Sequence, residues 1–213
     1  MSETTERPRG NLDVWAWKIV KGQWMSVFGQ EATPYEIEAV CAVARLESNY
    51  GWPAQATWAG HHNWGAMQGG APSGGTCPAG TFPATDSHAS GQQYVACEAE
   101  HATNEEGARA LMSWFAHRPA VSGVLGSGDA TRIAQAMHSA GYFEAPVATY
   151  AKAIATNAAG IARSFGREPY VRLVAPKVIS TIAPIIISAV AIVLGVAVAF
   201  SREIKETAAD VLR

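Results

Sequence analysis

Apolar positions recur at helical spacing through much of the first 165 residues. Between Asn11 and Lys21, Leu12, Trp15, Ile19 and Val20 form one stripe. Thr33-Pro34-Tyr35-Glu36 is a helix start. Thr33 can cap, Pro34 suits the first helical position, and Glu36 completes a capping box. The helix it opens is expected to reach about Asn49, with Ile37, Val40, Cys41 and Ala44 on one face. Gly51 to Gly91 breaks the pattern: rich in Gly, Pro, Ser and Thr, it predicts loops with a short hairpin or two. Gln92 to Glu98 alternates weakly, as a strand does. Thr103-Asn104-Glu105-Glu106 then opens a helix carrying Ala108, Leu111, Met112 and Phe115 on one face. Asp129 caps a helix through Ser139, closed by Gly141, and Pro146 opens another with Val147, Tyr150, Ala151 and Ile154 in register. Helices, an irregular insert and more helices predict an α+β, mostly helical domain with a small hairpin lobe facing a helical lobe. The cleft between two such lobes suits a polymeric substrate.

A second pattern lies near the C-terminus. Val178 to Phe200 is 23 residues without a charge, bracketed by Lys177 and Arg202. As a helix it would be roughly 34 Å long, enough to cross a bilayer core. One C-terminal transmembrane helix is therefore expected, with Pro184 as a kink; a buried or assembly helix is the alternative. Arg163, Arg167, Arg172 and Lys177 precede the segment, and Arg202, Lys205 and Arg213 follow it. That slight bias leans toward a cytoplasmic N-terminal side. The 213-residue chain divides into a tail (1–10), a compact domain (11–165), a linker holding Pro169 and Pro176 (166–177), the apolar span (178–200) and a charged end (201–213). No internal repeat is visible.

Composition narrows the function. A formal net charge of −2 provides no basic field for a nucleic-acid partner. The polar first ten residues contain no apolar core of a signal peptide. Cys41, Cys77 and Cys97 fit no zinc spacing; Cys77 and Cys97 flank a turn-rich stretch and either form a disulfide or remain thiols. His61-His62 is an adjacent pair whose side chains diverge, so it is read as loop rather than as a metal site. Gly69-Gly70 and Gly74-Gly75 lack the Lys-Ser/Thr of a phosphate loop. Neither a metal nor a cofactor is expected.

One carboxyl stands apart. With Ile37 at zero on a helical wheel, Glu47 falls about 80° from the apolar cluster at about 100° per residue. A half-buried carboxyl at the edge of an apolar face is pushed toward its protonated form. A protonated carboxyl can donate to a leaving oxygen, as glycosidic cleavage requires. The alternative is a surface glutamate in the last helical turn.

The residues around Glu47 resemble the lysozyme superfamily, specifically bacterial and phage glucosaminidases with features of lytic transglycosylases. Glu47-Ser48-Asn49-Tyr50-Gly51 looks like the glucosaminidase Glu-Ser-x-aromatic-Gly signature. His62-Asn63-Trp64-Gly65-Ala66-Met67-Gln68 looks like the Asn-Leu-Phe-Gly-Ile-Lys block, ending more like the transglycosylase Gly-Leu-Met-Gln. Gly141-Tyr142, Pro146 and Tyr150 resemble the Gly-Tyr-Ala-x-x-Pro-x-Tyr block. The three blocks span Glu47 to Ile154 in order. The resemblance implies Glu47 as general acid and Tyr142 beside the reacting sugar. It also implies substrate contacts from Ser48, Asn63, Trp64, Gln68 and Tyr150, with a place in the core as the alternative for Trp64.

A hydrolase also needs a second carboxylate. In Thr85-Asp86-Ser87-His88-Ala89-Ser90-Gly91, Asp86 is nearest the family's hairpin acid, with Glu98 and Glu100 as fallbacks. Without such a base, Glu47 acts alone and the sugar's 6-hydroxyl attacks, leaving an anhydro end. The expected partners are peptidoglycan, a lipid bilayer and, for a phage particle that opens the host wall, other virion proteins. The competing readings are a membrane-held lysis enzyme and a structural virion or membrane protein with a non-catalytic wall-binding module.

Overall fold

The computed structural model describes residues 10–52, 60–70, 72, 75–88 and 90–174. Six helices and three strands run in the order α1 (Leu12–Phe28), α2 (Pro34–Ser48), β1 (Gln68–Gly70), β2 (Thr81–Ser87), β3 (Gln93–Ala99), α3 (Asn104–Ala116), α4 (Pro119–Leu125), α5 (Ala130–Ser139) and α6 (Val147–Ser164). The described part is thus α+β and mostly helical, with one antiparallel sheet in the order β1-β3-β2.

The caps account for the helix ends. Thr33 and Glu36 close a reciprocal capping box on α2, with Pro34 in its first turn. On α3, Thr103 Oγ1 accepts from Glu106 N, but Glu106 returns to Ala102 N rather than to the cap residue. Asp129 caps α5, and Tyr142 N closes back on Met137 O past Gly141. α1 extends beyond the stripe that ends at Lys21, because Trp24 continues its buried face to the Gly29 stop. α4 was not expected: it is seven residues starting at Pro119, held by buried Val121 and Leu125.

Six consecutive α2 residues, Ala39 to Ala44, are fully buried, so the helix runs through the core rather than along its surface. Their small side chains allow α1 and α6 to approach closely. α2 and α6 are antiparallel neighbours: Tyr150 at the start of α6 reaches Glu47, whereas the chain past the end of α6 reaches Glu38.

That last contact corrects the domain boundary. Residues 166–172, expected in a linker, pack back on the body. Glu38 is fully buried, pairs with Arg167 Nη1 at 2.6 Å, and accepts the backbone N–H groups of Tyr170 (2.6 Å) and Val171 (2.9 Å). Arg172 exchanges backbone hydrogen bonds with Gly128 and Ala130. The compact unit runs to Val174. Val178–Phe200 and the charged end lie outside the described residues, among which no helix is long and apolar enough to cross a membrane.

Candidate active site

The end of α2 carries the first functional group on a turn with unusual backbone. Asn49, Tyr50 and Gly51 all take positive φ (49°, 62° and 75°). A bulky residue in that region is strained unless its surroundings hold it there. Tyr50 is fully buried; its hydroxyl donates to Asp13 Oδ1 at 2.8 Å and its ring packs 5.5 Å from Trp64. Asp13 also accepts from Arg45 Nη1 (3.0 Å) and Ser164 Oγ (2.6 Å), tying α1, α2 and α6 together beneath the turn. Ser48 Oγ donates to Trp64 O and accepts from Gly51 N, both at 2.9 Å. The Glu-Ser-x-aromatic-Gly pattern therefore stops the helix one residue after Glu47, leaving Glu47 in its last turn.

Glu47 is half-buried, and Tyr150 Oη donates to its Oε1. Burial pushes its pKa up to about 7, helped by the Asp86 charge and opposed by the Tyr150 hydrogen bond. Tyr150 is itself fixed by a parallel stack on Phe143 at 3.7 Å. Tyr142 donates to Gly65 O at 2.7 Å and meets Trp114 edge-on at 4.6 Å. Burial and the nearby Glu47 push the hydroxyls of both Tyr142 and Tyr150 upward, so they serve as neutral donors.

The sheet supplies two more carboxyls. Pairing sets Asp86 opposite Tyr94, Phe82 opposite Glu98, and Gln68 opposite Glu98. Period-two alternation then puts Gln68, Asp86, Tyr94 and Glu98 on one face. Tyr94 Oη donates to Asp86 Oδ2 at 2.8 Å, and Gln68 Nε2 donates to the same oxygen at 3.2 Å. Glu98 is 1 % exposed and accepts from Asn63 Nδ2 at 3.1 Å. Its pKa is pushed up to about 7 by burial, then by Asp86 and Glu47, against the Asn63 hydrogen bond. Three carboxyls from two lobes thus share one electrostatic neighbourhood, with Tyr142 within reach of Glu47 and Glu98.

No protein-family model matches this chain, and no curated protein matches it. Among solved structures, the chain is similar to a peptidoglycan hydrolase mutant from Sphingomonas sp. A1, with 20% identity, a TM-score of 0.49, and coverage of 68% of this chain and 90% of that one. It is also similar to the catalytic domain of the autolysin Auto from Listeria monocytogenes, with 16% identity, a TM-score of 0.45, and coverage of 73% and 88%. The functional reading rests on the side chains themselves.

Among the expected site residues, Glu47, Asp86, Tyr142, Tyr150 and Gln68 come together. Three others do not line a groove. Trp64 is fully buried, its Nε1 donating to Asn104 Oδ1 at 3.2 Å and its ring beside Trp15 and Tyr50, so it has no open face for a sugar. Ser48 is a buried fastener. Asn63 is also buried, and its amide clasps both the N–H and C=O of Met67 at 3.0 Å and supports Glu98. Glu98, ranked behind Asp86, joins the cluster. Glu100 instead pairs with His61 Nδ1 at 2.8 Å. His61 stacks on Phe82 at 3.9 Å. Among the described residues no group of three or more His, Cys, Asp or Glu could hold a metal. Cys77 and Cys97 are joined as a disulfide, leaving Cys41 a buried thiol. The Tyr94 contact was missed, although its position opposite Asp86, four residues before Glu98, was available once the hairpin register was known.

Proposed function

We propose that this chain is a lysozyme-like glycosidase that cleaves the glycan strand of bacterial peptidoglycan, with Glu47 as general acid. The supporting observation is a half-buried carboxyl with a pKa of about 7, held by Tyr150 and faced by Asp86 and Glu98 from the sheet. Near neutrality a substantial fraction of Glu47 carries a proton. It transfers that proton to the glycosidic oxygen as the C–O bond breaks, leaving the sugar with oxocarbenium character. Asp86, oriented by Tyr94 and Gln68, takes the proton of the water that adds to the anomeric carbon, and the product is a reducing end. Glu98, held by Asn63, adds a third carboxyl to the same neighbourhood. Tyr142 shapes the wall beside the reacting ring.

Mass spectrometry of muropeptides released from purified cell walls tests this reading. Reducing ends from the parent, with Glu47→Gln inactive, are expected. Anhydro ends would move the chain to the transglycosylase mechanism; no release at all would leave a wall-binding module.

We also propose that Val178–Phe200 holds the chain in a bilayer, supported by its 23 uncharged residues. The protein would then act among other virion proteins of a phage particle, a placement that rests on the union of a wall-cutting domain with a membrane segment. Resistance to alkaline carbonate extraction tests the first proposal, and recovery from purified particles tests the second.

A further inference from the structure

The described part has two poles, defined by the antiparallel pair α2 and α6. Glu47 and Tyr150 mark one end. Glu38 and the returning segment 165–174 mark the other. Along α6, Tyr150 and Ser164 are separated by fourteen residues, ~21 Å of helix. The far pole is therefore well removed from the Glu47 carboxyl.

That pole is unusually aromatic. Phe165 lies 5.1 Å from Trp17, Arg167 stands 5.1 Å over Trp17 and 4.0 Å over Tyr170, and Tyr170 lies 5.0 Å from Tyr35. Of the six exposed large hydrophobics among the described residues, four are here: Tyr35, Phe165, Leu173 and Val174. The last two are each 52 % exposed, at the end of the described chain. Arg163 and Arg172 are exposed nearby, with Glu168 opposing them. Arg167 is already neutralised by Glu38. The surface is thus dominated by rings with an apolar body and a polar edge, plus aliphatic side chains, rather than by net charge. Such groups are favoured where hydrocarbon meets headgroups. Three residues separate Val174 from the uncharged Val178–Phe200 segment.

We propose that this pole, built from Trp17, Tyr35, Phe165, Tyr170, Leu173 and Val174, is a docking surface for a lipid bilayer and turns the Glu47 cleft away from the membrane. The proposal rests on the reading of Val178–Phe200 as the anchor. Attached by the segment alone, the domain would tumble. With the pole seated, the cleft is presented to a polymer lying beyond the membrane.

The test uses the full chain in vesicles of phosphatidylcholine and phosphatidylglycerol. Single cysteines are introduced by Phe165→Cys, by Leu173→Cys as a second pole position, and by Ser90→Cys at the hairpin. Cys41 is buried and Cys77–Cys97 is bridged, so an environment-sensitive fluorophore reports the new thiol. Lipids carrying a nitroxide on the acyl chain should quench the labels at 165 and 173 several-fold more than the label at 90, with iodide showing the reverse order. Equal lipid quenching at all three positions, or iodide quenching of the pole labels in chains that float with the vesicles, overturns the docking and leaves the anchor intact. A chain that does not float with vesicles overturns the anchor and the docking with it.

Discussion

A carboxyl that titrates near 7 in the folded chain holds more protons between about pH 4.5 and 7 than it does unfolded, and this sets both chemistry and stability. For Glu47 and Glu98 the folded pKa is raised above the ordinary value of 4.5. Their contribution to stability is therefore present at low pH and is lost as pH rises through 7. Glu47→Gln removes a partly desolvated charge, so its melting temperature should exceed the parent's at pH 8 and approach it at pH 4, as calorimetry at both values would reveal. Wall cleavage by the same variant should fall by about 10²–10⁴-fold, the usual weight of a general acid. In the parent, activity should decline on the alkaline side with an apparent pKa near 7, as Glu47 loses its proton. A flat profile from pH 6 to 9 contradicts the acid role. Asp86→Asn should depress hydrolysis to a similar degree. Helical spacing from Ile37 placed Glu47 at the edge of the apolar face, where it lies. It could not show Tyr150, 103 residues away, donating to it. Nor could the short block around Trp64 show whether its ring faces the groove or the core, because α1, which covers it through Trp15, is remote in sequence.

The secondary-structure elements were read best where their ends carry side-chain chemistry. Thr33, Asp129 and Pro146 mark helix starts by hydrogen-bonding capacity or fixed backbone geometry, and α2, α5 and α6 begin there. α4 has no side-chain cap and too few residues to establish a period, so Pro119 in its first turn was the one local sign of it. The hairpin was legible as turns and alternation, but its register, and hence the common face of Asp86, Tyr94 and Glu98, follows only from pairing. Cys97 lies next to Glu98 on β3 and points to the opposite face, so the Cys77–Cys97 link secures the back of the strand that presents the carboxyl. Closing a loop of 20 residues is worth about 3 kcal/mol. Cys77→Ser or reduction should lower urea stability by about that amount and reduce activity; unchanged stability would show that the sheet holds without the link. α3 imposes a tighter requirement. A Cβ at Gly107 would lie 1.8 Å from His62 O. Gly107→Ala should therefore push the loop carrying Asn63 away from α3, at about 1–3 kcal/mol, and weaken cleavage by loosening the support of Glu98.

At the scale of the whole molecule, the boundary of the folded unit was the least legible feature. Residues 166–174 contain Pro169, two arginines and no helical period, which reads locally as a linker. Their role is set by Glu38, 132 residues before Tyr170, which helical patterning placed in α2 without revealing what would satisfy a carboxyl buried there. A chain ending at residue 165 loses Arg167 and both backbone N–H groups that meet Glu38, leaving its carboxyl without those partners at the edge of the core. Breaking such a pair by removing one partner costs about 3–5 kcal/mol. For a unit of this size that lowers the melting temperature by roughly 10 °C. A chain ending at residue 174 keeps every one of these contacts and should melt as one cooperative unit. The two chains, compared by calorimetry, should differ by that margin, with the shorter more readily cut by protease. Glu38→Gln tests the cause. In the chain ending at 165 it replaces a buried charge by a neutral group of the same shape and should recover part of the loss. In the chain ending at 174 it should destabilise by weakening the Arg167 pair. Opposite signs in the two backgrounds are the signature of a carboxylate that depends on the returning segment. Equal effects in both would mean that residues 166–174 stabilise the body by covering apolar surface alone.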